Sequence, residues 1–191
     1  MLDKTLPYYN IIMKRRAGLP FSQPELPEGY SFTLYSAGME RNWAEIETSV
    51  GEFNDKKEAL EYFRKEYLAH SEELQKRLIV IESPDGHYIA TITAWWNYTN
   101  GRRDPSLHWL SVKPEFQGLG LGKALVYKCL QIFDQIEGKK DVYLHTQTWS
   151  YKAVGLYLST GFELLKTESF GHYINEYEKA ETIIRDRIKA F

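Results

Sequence analysis

Leu110-Ser111-Val112-Lys113-Pro114-Glu115-Phe116-Gln117-Gly118-Leu119-Gly120-Leu121-Gly122-Lys123-Ala124-Leu125 is the stretch that decides the fold. The apolar run over residues 107–112 reads as a strand. The residues from Leu121 onward place Leu121, Leu125, Cys129, Ile132 and Ile136 on one helical stripe. Between strand and helix lie three glycines. Glycine lets backbone N–H groups turn toward an anion without a side-chain clash, and the helix behind adds unpaired N–H groups and the positive end of its dipole. The local physics is that of a phosphate or pyrophosphate site, with a plain turn as the alternative. A P-loop is excluded, because Gln117 and Ala124 stand where it needs glycine and Ser or Thr. A dinucleotide fingerprint is excluded because the glycines are spaced G-x-G-x-G rather than G-x-G-x-x-G. The pattern present is Q-x-x-G-x-G, carried by Gln117, Gly120 and Gly122.

Upstream, residues 8–15 read as a strand. Residues 20–29, with Pro20, Pro24 and Pro27, read as a linker, and residues 30–35 as another strand. Two helices follow. One carries Trp43, Ile46 and Val50; the other opens with the capping pair Asp55 and Glu58 and continues with Leu60, Phe63 and Tyr67. Strands are expected over 78–82 and 88–96 around the turn Ser83-Pro84-Asp85-Gly86, then a polar loop over 97–105. Downstream, 142–145 reads as a strand, 151–160 as a helix ended by Gly161, and 162–167 as a strand. In the tail from Ile174 to the end, Tyr177, Ala180, Ile184 and Ile188 recur at helical spacing. Helices, an antiparallel meander and then alternating strand and helix make an α+β (mixed α/β) fold with a mixed sheet covered by helices.

With these elements in place the chain resembles the GNAT superfamily of N-acetyltransferases. The family's acetyl-CoA motif, R/Q-x-x-G-x-G/A after a strand ending in a V-x-P-type sequence, matches residues 110–122. A second motif, N-x-x-A-x-x-L-Y-x-x-x-G-F, is matched by Ser150, Ala153, Leu156, Tyr157, Gly161 and Phe162, with Ser150 in the place of the asparagine. The resemblance implies a central, mostly antiparallel sheet of about six or seven strands with helices on both faces. It implies one domain over 1–191, with 1–29 an N-terminal strand plus Pro-rich linker and 171–191 a C-terminal helix. The family usually ends in a last antiparallel strand; residues 8–15 are expected to take that place, in their own subunit or in a partner's.

The resemblance further implies acetyl-CoA as co-substrate and an amine as acceptor. Backbone N–H groups of Gln117, Gly118, Leu119, Gly120, Leu121, Gly122 and Lys123 would hold the pyrophosphate. Main-chain groups of Leu110, Ser111 and Val112, with Ser150 and Ala153, would hold the pantetheine. Tyr157 matches the tyrosine that protonates the departing thiolate. His108 stands where aralkylamine-type members carry a histidine, and is the candidate base, with a buried core histidine as the alternative. His145 reads as structural. Glu45 and Glu47 read as a solvated helix face that would at most attract a cationic amine. Of Trp95 and Trp96, alternation allows only one to face an acceptor. A non-catalytic acyl-CoA sensor and a longer acyl donor both stay open.

The bulk numbers fit a globular chain: 191 residues, 43% hydrophobic and 26% charged, with formal net charge −2. That balance speaks against nucleic acid as a partner. The lone Cys129 allows no intrachain disulfide, and neither a leader nor a spanning run is evident, so no membrane is expected and the expected compartment is the cytoplasm. No metal is expected, since His70, His87, His108, His145, His172 and Cys129 show no short ligand spacing. A homodimer stays open through the N-terminal strand.

Overall fold

The computed structural model describes residues 2–188. In chain order the strands are β1 (Asn10–Arg15), β2 (Ser31–Leu34), β3 (Leu78–Glu82), β4 (Tyr88–Thr99), β5 (Arg102–Val112), β6 (Val142–Gln147) and β7 (Glu163–Leu164). The α-helices are α1 (Glu40–Ser49), α2 (Lys56–Glu66), α3 (Ser71–Arg77), α4 (Leu121–Ile136), α5 (Tyr151–Ser159) and α6 (Tyr177–Arg187). The strands form one seven-stranded sheet in the order β2-β3-β4-β5-β6-β1-β7. It is mostly antiparallel, with β5 and β6 parallel, as a crossover through a helix requires. The mixed α/β expectation holds. Cα packing divides the chain into two compact units, one of residues 22–94 and 109–132 and the other of residues 2–21, 95–108 and 133 onward.

In the first unit, Trp43, Ala44 and Ile46 of α1, Ala59 and Phe63 of α2, and Leu74 of α3 are buried, as is most of β3. The Asp55 carboxylate accepts from Glu58 N at 2.9 Å and caps α2, while Glu58 returns a carboxylate oxygen to Asn54 N at 3.0 Å. The turn between β3 and β4 closes by Gly86 N donating to Ser83 O at 2.9 Å. Helix α3 was not among the expected elements. Its seven residues carry one buried leucine, Leu74, too little for a periodic signal. Its last residue, Arg77, is buried but paired: Nε donates to Glu73 at 2.7 Å and Nη1 to Ala94 O at 3.2 Å.

In the second unit β1 lies between β6 and β7 and pairs antiparallel with both, within the chain. Ile11, Ile12 and Met13 are completely buried, as suits a strand with neighbours on both edges. Ile12, Tyr143, Leu165 and Phe170 make a core cluster against which Tyr173 packs. Arg15 is buried and fully engaged: Nε donates to Thr160 O at 3.0 Å, and Nη2 to Leu19 O at 2.9 Å and Pro20 O at 2.8 Å.

Four expectations need correction. The polar loop over 97–105 is not a loop: β4 runs to Thr99 and β5 starts at Arg102, joined by Asn100-Gly101 with φ of 51° and 82°. Asn-Gly is the pair that takes positive φ at both turn positions, so the chain reverses in two residues. The strand expected over 162–167 is only Glu163–Leu164. The Asn175 amide donates to Leu165 O at 2.7 Å and Glu168 O at 3.2 Å, engaging carbonyls a longer ladder would use. The C-terminal helix begins at Tyr177 rather than near 171, and the last three residues of the expected helix lie outside the described residues. On α4, Leu121, Leu125, Cys129 and Ile132 are buried as expected, whereas Ile136 is exposed.

Candidate functional site

The glycine segment is built as its residues require. Lys113 N donates to Ile89 O at 2.9 Å and fixes the end of β5 against β4. Residues Pro114–Phe116 form one 3-10 turn, and the Gln117 amide donates back to Val112 O at 2.9 Å, closing the loop on the strand it left. Gly118 and Gly120 have φ of 88° and 79°, a region that disfavours any side chain, and a Cβ at either would meet no atom within 4 Å. Ala124 N donates to Gly120 O at 3.1 Å, the first bond of α4. The N–H groups of Leu121, Gly122 and Lys123 therefore have no acceptor inside the helix, and they stand at its positive end. Leu119 is exposed, and Lys123 lies 5.8 Å from the Tyr127 ring one turn on. This donor set fits a pyrophosphate.

Helix α1 carries two carboxylates two residues apart in opposite conditions. Glu45 receives Lys113 at 2.7 Å and Lys56 at 3.0 Å, and these ammonium groups hold its carboxyl down to about 2. Glu47 is completely buried. Ser111 Oγ donates to its Oε2 at 2.7 Å, and its Oε1 has no hydrogen-bond partner among the described residues. Burial pushes this carboxyl well above 4.5; the Ser111 bond opposes that, and nearby Glu52 adds to it. The expectation of a solvated face thus fails for Glu47. Its position explains why: Trp43, Ile46, Glu47 and Val50 fall at i, i+3, i+4 and i+7, the spacing of a core-facing stripe.

Around this face stands a set of aromatic rings. Trp43 lies 5.6 Å from Trp109, 5.9 Å from Phe53 and 6.3 Å from Tyr62, while Trp109 lies 5.2 Å from Phe53 and 5.1 Å from Tyr62. Trp109 has φ of 52° within β5, a strained setting for a bulky residue. The Trp43 Nε1 hydrogen, like Glu47 Oε1, has no partner among the described residues.

The second unit holds the remaining candidates. His108 and His145 are half-buried, and burial drives both imidazoles down to about 4, with His145 adding to the shift of His108 and His172 to that of His145. Both are neutral at physiological pH. His145 Nε2 lies 2.8 Å from Asn10 Oδ1, and its ring stacks on Tyr173 at 3.6 Å. Tyr157 is buried, 5.7 Å from the Phe162 ring, and its carbonyl accepts from Phe162 N at 3.0 Å and Thr160 Oγ1 at 2.9 Å. Ser150 precedes α5, its N–H donating to Gln147 Oε1 at 2.8 Å, and Ala153 lies in the first turn of that helix. Trp95 and Trp96 do not diverge as alternation implied: their rings stack at 4.1 Å, and Arg103, which pairs with Glu137 at 2.8 Å, covers Trp96 at 4.4 Å.

The first unit thus brings together Leu110, Ser111, Val112 and residues 117–123; it adds Trp43 and Trp109, which the sequence reading did not place in a site, and Glu47, which it read as a solvated face that would at most attract a cationic amine. Among the described residues no group of three or more His, Cys, Asp or Glu side chains is arranged to hold a metal ion, and no helix is long and apolar enough to cross a membrane.

Residues 40–162 match the family model described as the Acetyltransferase (GNAT) family. Two rat proteins match shorter stretches: N-acetyltransferase 8B is 42% identical over 64 residues, 34% of this chain and 28% of its own length. N-acetyltransferase family 8 member 2 is 42% identical over 74 residues, 39% of this chain and 30% of its own length. The matches thus span under a third of these curated relatives. A GCN5-related N-acetyltransferase from Sphaerobacter thermophilus superimposes with a TM-score of 0.65 at 21% identity, over 84% of this chain and 50% of its own, a likeness of fold.

Proposed function

The chain belongs to the GNAT acetyltransferase family, and from that premise we propose that it is an acetyl-CoA-dependent N-acetyltransferase acting on a primary amine. The observation that carries the reading is the segment 117–123, where a strand end, two glycines at positive φ and the first free N–H groups of α4 form an anion cradle. In this reading the cradle takes the CoA pyrophosphate. Main-chain groups of Leu110, Ser111 and Val112, with Ser150 and Ala153, take the pantetheine.

Acetyl transfer needs a neutral amine, a held thioester and a proton for the leaving thiolate. His108, neutral above about 4, takes the amine's proton in this reading, and Tyr157 supplies one to the thiolate. The direct test is release of free thiol from acetyl-CoA against a panel of polyamines, amino acids, aminoglycosides, arylalkylamines and peptides. Thiol release that depends on one amine class is the expected result. Tight CoA binding with no turnover on any amine would instead make the chain an acyl-CoA sensor. The expected compartment is the cytoplasm.

A further inference from the structure

A carboxyl group buried with one oxygen unpartnered costs folding free energy, and the cost persists unless the group serves a ligand. Glu47 is such a group, and among the described residues no salt bridge offsets it: Lys113 and Lys56 are both drawn to Glu45. One turn away on the same face of α1, the buried Trp43 holds an N–H donor that is likewise unpartnered among the described residues. Phe53, Tyr62 and Trp109 surround Trp43, and each is half-buried, so these rings form the solvent-side layer of the cluster. Trp109 joins that layer from a β5 position with positive φ. Ser111, whose hydroxyl is bonded to Glu47, is two residues farther along β5, beside the Val112 carbonyl on which the glycine segment closes.

We propose that Glu47 and the rings of Trp43, Phe53, Tyr62 and Trp109 form the subsite for an organic ammonium ion carried on an apolar, preferably aromatic, stem. As the ammonium ion enters, the carboxyl releases its proton to solvent and its unpartnered oxygen takes the ammonium group. The rings take the stem and add cation–π attraction. A permanently charged surface site would serve polyamines and aminoglycosides better; a single buried acid among rings selects one charge and an apolar body. Naming this ligand the acyl acceptor rests on the transferase reading above. The binding site itself does not.

The experiment is calorimetric titration of 2-phenylethylamine, propylamine and 2-phenylethanol into the whole chain, repeated on Glu47→Gln, with acetyl-CoA titrated into both proteins. The amine with the ring is expected to bind wild type about 10-fold more tightly than either probe lacking ring or charge. Glu47→Gln, which keeps an acceptor for Ser111, is expected to lose about 10-fold in affinity for phenylethylamine and none for acetyl-CoA. Equal binding of phenylethylamine and phenylethanol by wild type overturns the proposal, and that comparison needs no variant to fold. Phenylethylamine affinity unchanged in Glu47→Gln overturns it too. Charge-selective, Glu47-dependent binding without acetyl transfer would leave the subsite standing and remove the transferase reading. Transfer to phenylethylamine with a KM indifferent to Glu47 would do the reverse.

Discussion

Each of the two units buries titratable groups, but they are partnered differently. In the first unit the Glu47 carboxyl is fully buried, keeps one oxygen without a partner and is pushed up from 4.5. In the second, the His108 and His145 imidazoles are pushed down to about 4, and His145 is bonded to Asn10 and stacked on Tyr173. The buried arginines are partnered in both units: Arg15 donates to three backbone carbonyls, and Arg77 to a carboxylate and a carbonyl. Desolvation pushes acid and base alike toward their neutral forms, but Glu47 keeps one buried oxygen without a hydrogen-bond partner among the described residues. A buried polar group with all its partners is part of the scaffold; one lacking a partner is where a ligand is to be sought.

The largest effect expected from this contrast is at Arg15. Arg15→Ala strips three carbonyls of their donor and should destabilise the chain by about 3 kcal/mol in urea unfolding. Glu47→Leu, which removes an incompletely satisfied group, should be neutral or stabilising; an equal loss from both would erase the contrast.

Next in size is the pH dependence of melting. The native histidines bind protons less readily than unfolded ones, so their stabilisation is present above about 6.5 and is lost as pH falls from there through about 4. Glu47 has the opposite sign. Its native form holds its proton more tightly, so its contribution is complete below 4.5 and is lost as pH rises toward its raised folded value. His145→Gln should flatten the acid limb of the Tm profile by about 3 °C, the shift made by roughly 1 kcal/mol in a chain of this size, and Glu47→Gln should flatten the profile above 4.5. Smallest is Glu45→Gln. Its ion pairs with Lys56 and Lys113 involve a carboxylate 45% exposed, so the loss should be about 0.5 kcal/mol or less and should shrink with added salt.

The glycine-rich strand-to-helix junction was legible in the sequence because its physics is local: three glycines, a strand before them and an amphipathic stripe after them suffice. The strand at residues 8–15 was likewise legible, since Ile11, Ile12 and Met13 form an unbroken apolar run. Asn100-Gly101 carried a local signal as strong, but the charged residues Arg102, Arg103 and Asp104 made the segment look like loop. They are tolerated in β5 because Arg102 pairs with Asp104, and Arg103 with Glu137 and the Trp96 ring. Glu47 was misread because its residue type was weighed above its place in the stripe of Trp43, Ile46 and Val50. The stacking of Trp95 on Trp96 departs from strand alternation, and nothing in the sequence signals it. Trp109 could not be found at all, since nothing in the sequence marks a positive φ within a strand.

The claim on which the rest depends is that segment 117–123 binds a CoA pyrophosphate. It is tested most directly by calorimetric titration of acetyl-CoA into the wild-type chain and into Gly120→Val, which places a β-branched side chain at a φ of 79°. The account predicts saturable binding by wild type and a loss of at least about 10-fold in the variant, with folding verified by a retained cooperative melting transition. No binding by wild type, or equal binding by both proteins, would contradict it.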